Sequence, residues 1–249
     1  MILTFHQLTS EAPKDLFQVG LERFEKYLEI VTRLNSQART GFSPLKITFD
    51  DGHISNFELG LPLLSKHSIR GMFFIVSGWV GKETNAMTWE QLRALVALGH
   101  QIGSHSWSHP PLVSCSDADL LNELARSKDV LQDKLGTAVE DISVPYGRWD
   151  SRTLAACSKA GYRRVYTSDP WMSPWSQEGL SIFGRLTVRS TMDSRQLLHI
   201  LTARGPSVLL LRAPYAAKQA LKQVIGDKLY QRLRQYFAHA DEPQARETR

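Results

Sequence analysis

The sequence predicts an α/β fold: a single domain of alternating strands and helices around a mainly parallel sheet or barrel. Three observations carry that expectation. Short apolar runs alternate with amphipathic stretches along nearly the whole chain, the pattern of successive βαβ units. At 249 residues, with 42% hydrophobic and 22% charged side chains, the chain has ordinary globular composition and can bury a sizeable core. No internal repeat, low-complexity stretch or Pro/Gly/Ser-rich linker divides it.

"MILTF" (1–5) reads as a strand. Residues 20–35 form a helix, because Leu21, Phe24, Leu28 and Val31 recur at helical spacing. "LKITF" (45–49) is a strand, "NFELGLPLLSKH" (56–67) a helix ending near "SIRG", and "GMFFIVSG" (71–78) an apolar strand. "TWEQLRALVALGH" (88–100) is a helix with Thr88 as N-cap and Glu90 and Gln91 in its first turn. "QIGSH" (101–105) is a short strand, followed by a long helix over 117–136, opened by Ser116 and closed by Gly136. "EDISVPYG" (140–147) is a strand, "DSRTLAACSKAGY" (150–162) a helix, and "RRVYTS" (163–168) and "RLTVRS" (185–190) are strands. The chain closes with a helix over 194–205, the strand "SVLLLRA" (207–213) and a last helix over 216–238.

Formal net charge is +5, and much of the excess sits in "KQALKQVIGDKLYQRLRQYF" and the tail "ARETR". Without a Lys/Arg cluster interleaved with aromatics, this is a solvated helix face and not a nucleic-acid surface. Cys115 and Cys157 form no CxxC and no disulfide framework, which suits a reducing compartment. The first fifteen residues lack a basic segment followed by an apolar core, and no window of about 18 apolar residues exists. A cytoplasmic protein, or one at the inner membrane face, with no transmembrane segment is expected.

Ligands in βα folds gather at the carboxyl ends of the strands, and the chemistry-bearing residues cluster there. Asp50 and Asp51 directly follow "LKITF". Two adjacent carboxylates are costly to desolvate unless a cation or proton is shared between them. His105 and His109, in "SHSWSH", end the strand "QIGSH". On a helical turn, stopped by Pro110 and Pro111, they would project from one face as adjacent metal ligands. Two nitrogens and one carboxylate without a thiolate suit Zn²⁺, with Co²⁺, Ni²⁺ or Fe²⁺ as competitors, and three protein ligands leave a position open for water. One aspartate can ligate the cation while the other takes a proton from the water; spacing does not say which. In "SVPYG", Pro145 and Gly147 shape a tight turn that can direct the Tyr146 N–H towards a developing oxyanion.

"TFDDGH", "SHSWSH" and "SVPYG", in that order, resemble the three motifs of the polysaccharide deacetylases of the NodB-homology group (carbohydrate esterase family 4). The likeness covers roughly residues 2–212. It implies a distorted (β/α)₇-type barrel and metal-dependent removal of acetyl from an N-acetylated sugar of a polysaccharide or glycan precursor. It further implies Asp50 as catalytic base, Asp51, His105 and His109 as metal ligands, and the Tyr146 backbone N–H as oxyanion donor. The catalytic domain is expected over 1–215, with a C-terminal helix and basic tail over 216–249. Three positions depart from the family pattern. His53 stands where the first motif often has proline, and Ser143 where the third often has arginine. Arg212 stands where a late strand often offers the histidine that protonates the leaving amine. His6 and His53 are the alternative proton donors, since His199 falls on a helix, and Arg212 is expected to orient substrate charge. Pro145 is expected to contribute to substrate binding. Trp149, Trp171 and Trp175 read equally as a sugar-stacking rim or as loop packing, and Asp169 as part of a turn before Pro170. The rival reading is a metal- and glycan-binding module of this fold with weakened turnover.

Overall fold

The computed structural model describes residues 1–37, 43–170 and 174–202. The chain divides into two compact units, Met1–Leu198 and His199–Arg249. Of the second, residues 199–202 are described; the expected strand 207–213, the last helix, Arg212 and the 215/216 boundary lie outside the described residues, as does Trp171.

In the first unit, β1 (Ile2–Phe5), β4 (Lys46–Phe49), β5 (Gly71–Ile75), β6 (Gln101–Ser104), β7 (Asp141–Ser143) and β8 (Arg164–Thr167) run parallel, each beside the next. β10 (Leu180–Gly184) pairs in parallel with β8, and β11 (Leu186–Thr187) pairs in parallel with β1. Only Arg185 separates the two. One extended strand thus passes from the last ladder to the first and closes a seven-stranded barrel. Helices α1 (Leu21–Ser36), α2 (Leu61–Lys66), α3 (Trp89–Ala97), α4 (Asp117–Leu135) and α5 (Ser151–Lys159) fill successive crossovers. Between β8 and β10 the antiparallel strand β9 (Trp175–Gln177) takes the place of a helix, which is the distortion; α6 (Ser194–Leu201) follows the barrel. Among the described residues no helix is long and apolar enough to cross a membrane.

Strand alternation sorts the core. Leu3, Phe5, Ile47, Phe49, Phe73, Ile142, Val165 and Ile182, all at most 1% exposed, face outward to the helices, which bury Phe24, Leu28, Leu64, Leu92, Leu124 and Leu154 against them. Ile2, Met72, Phe74, Tyr166 and Phe183 form an apolar layer inside the barrel. Gly103 is required there, since a Cβ would lie 2.6 Å from the Phe74 ring. Nearer the strands' carboxyl ends, Thr4, Thr48, Asp50, Ser143 and Arg185 form a buried polar layer beneath the mouth.

The structure corrects several local expectations. The helix expected over 56–67 begins as a wide π-type turn over Asn56–Gly60 before α2. A small parallel pair, β2 (Gln7–Thr9) with β3 (Gln18–Gly20), precedes α1. The strand expected over 185–190 is two residues long, and the longer strand β10 lies just before it.

Candidate active site

Four strand ends deliver the site. The β1–β4 register places Phe5 opposite Phe49, so His6 and Asp50 emerge side by side, and the Asp50 N–H donates to the Phe5 carbonyl (2.9 Å). Asp51 (φ 70°) and Gly52 (φ 76°) then turn the chain in the left-handed region, which aims the second carboxylate along the mouth and not into the barrel. β6 ends at Ser104, directly before His105, and β7 ends at Ser143, ahead of the Pro145–Gly147 turn.

Asp51, His105 and His109 converge. His105 Nε2 and His109 Nε2 lie 3.4 and 3.5 Å from Asp51 Oδ1 and 3.2 Å from each other. His105 Nδ1 is 2.7 Å from the Ser143 carbonyl. It donates there, so in the neutral imidazole the Nε2 lone pair faces Asp51. Asp51 Oδ1 is buried and has no hydrogen-bond partner. Three ligand-capable atoms so close together, one of them a carboxylate oxygen, call for a proton or a cation between them. Ligand atoms about 2.1 Å from a tetrahedral ion stand about 3.4 Å apart, which matches these separations. The residues fit a divalent metal.

The two histidines are not on a helical turn, contrary to expectation. Residues 105–109 form a loop in which Ser106 (φ 65°) and His109 (φ 63°) are left-handed, and the His109 N–H donates to Ser106 Oγ (3.0 Å).

Asp50 is the most buried carboxylate of the site, 3% exposed. Both its oxygens accept from Arg185, Nη1 to Oδ1 and Nη2 to Oδ2, each at 2.7 Å, and Ser143 Oγ donates to Oδ2 at 3.1 Å. Arg185 is fully buried and also reaches Thr4 Oγ1 and Thr48 Oγ1 (3.2 Å each), Ser143 Oγ (2.6 Å) and the Thr167 carbonyl (3.3 Å). Burial pushes the Asp50 carboxyl up, but the guanidinium outweighs it, with His105 assisting, and holds the group well below the usual carboxylate range. Arg185 went unnoticed in the sequence. The small Ser143 leaves room in β7 for a guanidinium arriving from the barrel-closing strand. A lone arginine alternating with apolar residues in "SIFGRLTV" was the available signal, since a buried arginine needs a partner.

Burial lowers His6, opposed by Asp50 and Asp51. Its Nδ1 is buried without a partner and its ring packs on Phe17 at 4.9 Å. Burial, then His105, lowers His109 to about 4, whereas burial of His105 is outweighed by Asp50 and Asp51, which raise it. His53 turns away: its Nδ1 accepts the Ser55 N–H (3.2 Å) and contacts Ser55 Oγ (2.8 Å).

In the turn after β7, Tyr146 takes φ 58° and Gly147 φ 62°. A Cβ at Gly147 would sit 2.6 Å from the Ser168 side chain, so glycine is needed on both counts. The Gly147 and Arg148 N–H groups donate to the Val144 and Pro145 carbonyls. That leaves the Tyr146 N–H as the donor of this turn with no backbone acceptor among the described residues. The Tyr146 ring, 60% exposed, lies 4.7 Å from the His109 ring. Pro145 is buried in the turn. Trp149 packs on Trp175 at 5.6 Å, and the Asp169 N–H donates to Thr167 Oγ1 in a plain turn.

A family model described as polysaccharide deacetylase matches residues 37–165. The chain is 31% identical over 147 residues to YxkH of Bacillus subtilis (strain 168), a protein named only provisionally as a polysaccharide deacetylase; the match covers 59% of this chain and 52% of that protein. It is 29% identical over 157 residues to the chitooligosaccharide deacetylase of Sinorhizobium fredii (strain NBRC 101917 / NGR234), covering 62% and 68%. The chain thus spans between about half and two thirds of these curated relatives. The fold superposes on the Streptococcus pyogenes deacetylase PplD, solved in complex with acetate, with a TM-score of 0.68 at 22% identity, covering 80% of this chain and 96% of that one. At that identity the likeness concerns the fold.

Proposed function

Since this chain belongs to the polysaccharide deacetylase family, we propose that it hydrolyses the N-acetyl group of an N-acetylhexosamine unit in a glycan or glycan precursor, with a divalent metal, most simply Zn²⁺, as cofactor. The observation that carries the reading is the orphaned Asp51 oxygen facing the Nε2 atoms of His105 and His109 beside a separate, ionised Asp50. The name of the Sinorhizobium relative favours an N-acetylglucosamine oligomer as substrate.

Asp51, His105 and His109 would hold the metal, which when bound supplies Lewis-acid polarisation and lowers the pKa of water beside it. Asp50 accepts a proton from the attacking water while Arg185 and Ser143 fix its orientation. The water oxygen bonds to the acetamide carbonyl carbon, and the Tyr146 N–H faces the oxyanion that forms on the carbonyl oxygen. His6 gives a proton to the sugar nitrogen as the carbon–nitrogen bond breaks, releasing acetate and a free amine. The place of His6 beside Asp50 favours it over His53, and it favours turnover over a module that only binds.

Acetate release from N-acetylglucosamine oligomers, with and without added Zn²⁺ or Co²⁺, tests this function; metal uptake without acetate from any N-acetylated glycan would favour the binding module. His6→Ala is expected to lower kcat by about 10²–10⁴, the usual contribution of a positioned acid, and to remove the basic limb of the pH–rate profile, which burial of His6 moves to lower pH. An unchanged profile would transfer the role to another donor.

A further inference from the structure

The loop that carries the second histidine is shaped from outside the barrel. Glu123, on α4, places its carboxylate against that loop. Its Oε2 accepts the N–H of Trp107 (3.0 Å) and of Ser108 (2.8 Å), and its Oε1 accepts the Ser108 hydroxyl (2.7 Å). The bonded residues lie between His105 and His109. Two left-handed non-glycine residues, Ser106 and His109, flank them. Such a conformation persists only where the surroundings over-determine it.

Other supports reach both halves of the loop: the Trp107 N–H also donates to the Glu123 backbone carbonyl (3.1 Å), and the His109 N–H donates to Ser106 Oγ (3.0 Å). The Ser106 carbonyl accepts the Ser77 N–H (3.3 Å), the Trp107 carbonyl accepts the Gly78 N–H (2.9 Å), and the Arg126 guanidinium lies 3.7 Å from the Trp107 ring centroid. Beyond Trp107, Glu123 supplies the bonds to Ser108, the residue immediately before His109. Ser108 is exposed, so without the carboxylate its N–H and hydroxyl would turn to water with little loss of fold. His109 would keep its N–H bond to Ser106 Oγ but lose the fixed residue before it, so its left-handed turn would loosen and its Nε2 would be held less firmly beside that of His105.

We propose that Glu123 is a positioning residue of the metal site: its carboxylate fixes the loop between the two histidines and thereby sets affinity for the divalent cation. This rests on the metal reading above. Partners one shell beyond metal ligands commonly govern affinity by 10- to 100-fold.

The test is Co²⁺ binding, read by the visible absorption of the bound ion and by Zn²⁺ competition, in wild type, Glu123→Ala and Glu123→Gln. Glu123→Ala is expected to weaken Co²⁺ binding 10- to 100-fold and to alter the visible spectrum, with the metal-free melting temperature little changed. Glu123→Gln keeps one acceptor oxygen and is expected to fall between the two. Wild-type affinity and spectrum in both variants would overturn the role of Glu123 while leaving the metal site standing. A wild-type protein that takes up no Co²⁺ would overturn the metal reading itself, and this proposal with it.

Discussion

Asp50→Asn is expected to lower kcat by about 10²–10⁴ while metal stoichiometry stays that of wild type. The amide keeps the shape of the carboxylate and one acceptor oxygen, but it cannot take the water's proton. The distinction from Asp51 is geometric. Asp51 Oδ1 faces both imidazoles at 3.4 and 3.5 Å, whereas the nearest Asp50 oxygen is 3.9 Å from His105 and both Asp50 oxygens are engaged by Arg185. Acetate release and bound metal measured on one preparation decide it. Loss of metal in Asp50→Asn together with its retention in Asp51→Asn would reverse the two roles.

Arg185→Met is expected to destabilise the protein by about 3–5 kcal/mol, the cost of leaving one member of a buried ion pair uncompensated. The guanidinium is fully buried and bridges Asp50 just after β4, Ser143 on β7, Thr4 on β1 and Thr48 on β4 from the strand that closes the barrel. Methionine fills much of the space but strands the Asp50 charge and leaves hydroxyl groups unpaired. In the double variant Asp50→Asn with Arg185→Met no lone charge remains, so its loss of stability should be clearly smaller than the sum of the two single losses. Urea unfolding of the four proteins gives the cycle. Additive losses, or a cost below about 1 kcal/mol for Arg185→Met, would show that the pair behaves as an exposed one.

The same pair marks where sequence reasoning stops. Alternating strands and helices, and the placement of Asp50, Asp51, His105 and Tyr146 at strand ends, are legible because each depends on local periodicity and on short spacings. Arg185 is not, because its partner lies 135 residues away and no local rule connects them. The shape of the His105–His109 loop escaped for a similar reason. HxxxH spacing suggests a helical turn, but Ser106 and His109 adopt left-handed angles, and the residues between them are bonded by Glu123 from a helix that begins after the loop ends. By contrast, the β9–β10 hairpin had a readable signal. Glu178 (φ 53°) and Gly179 (φ 74°) form a two-residue turn with both residues left-handed, a pairing that favours a hairpin wherever glycine follows a polar residue between strand-forming runs.

Under the proposed function, deacetylation depends on a cation held by Asp51, His105 and His109. Metal content and acetate release of His105→Ala, measured together with wild type after exhaustive dialysis and re-addition of Zn²⁺, test it most directly. Wild type should retain close to one metal per chain and release acetate from an N-acetylated glycan oligomer. His105→Ala, with two protein ligands left, should lose both, whereas undiminished metal and acetate in His105→Ala would contradict the assignment.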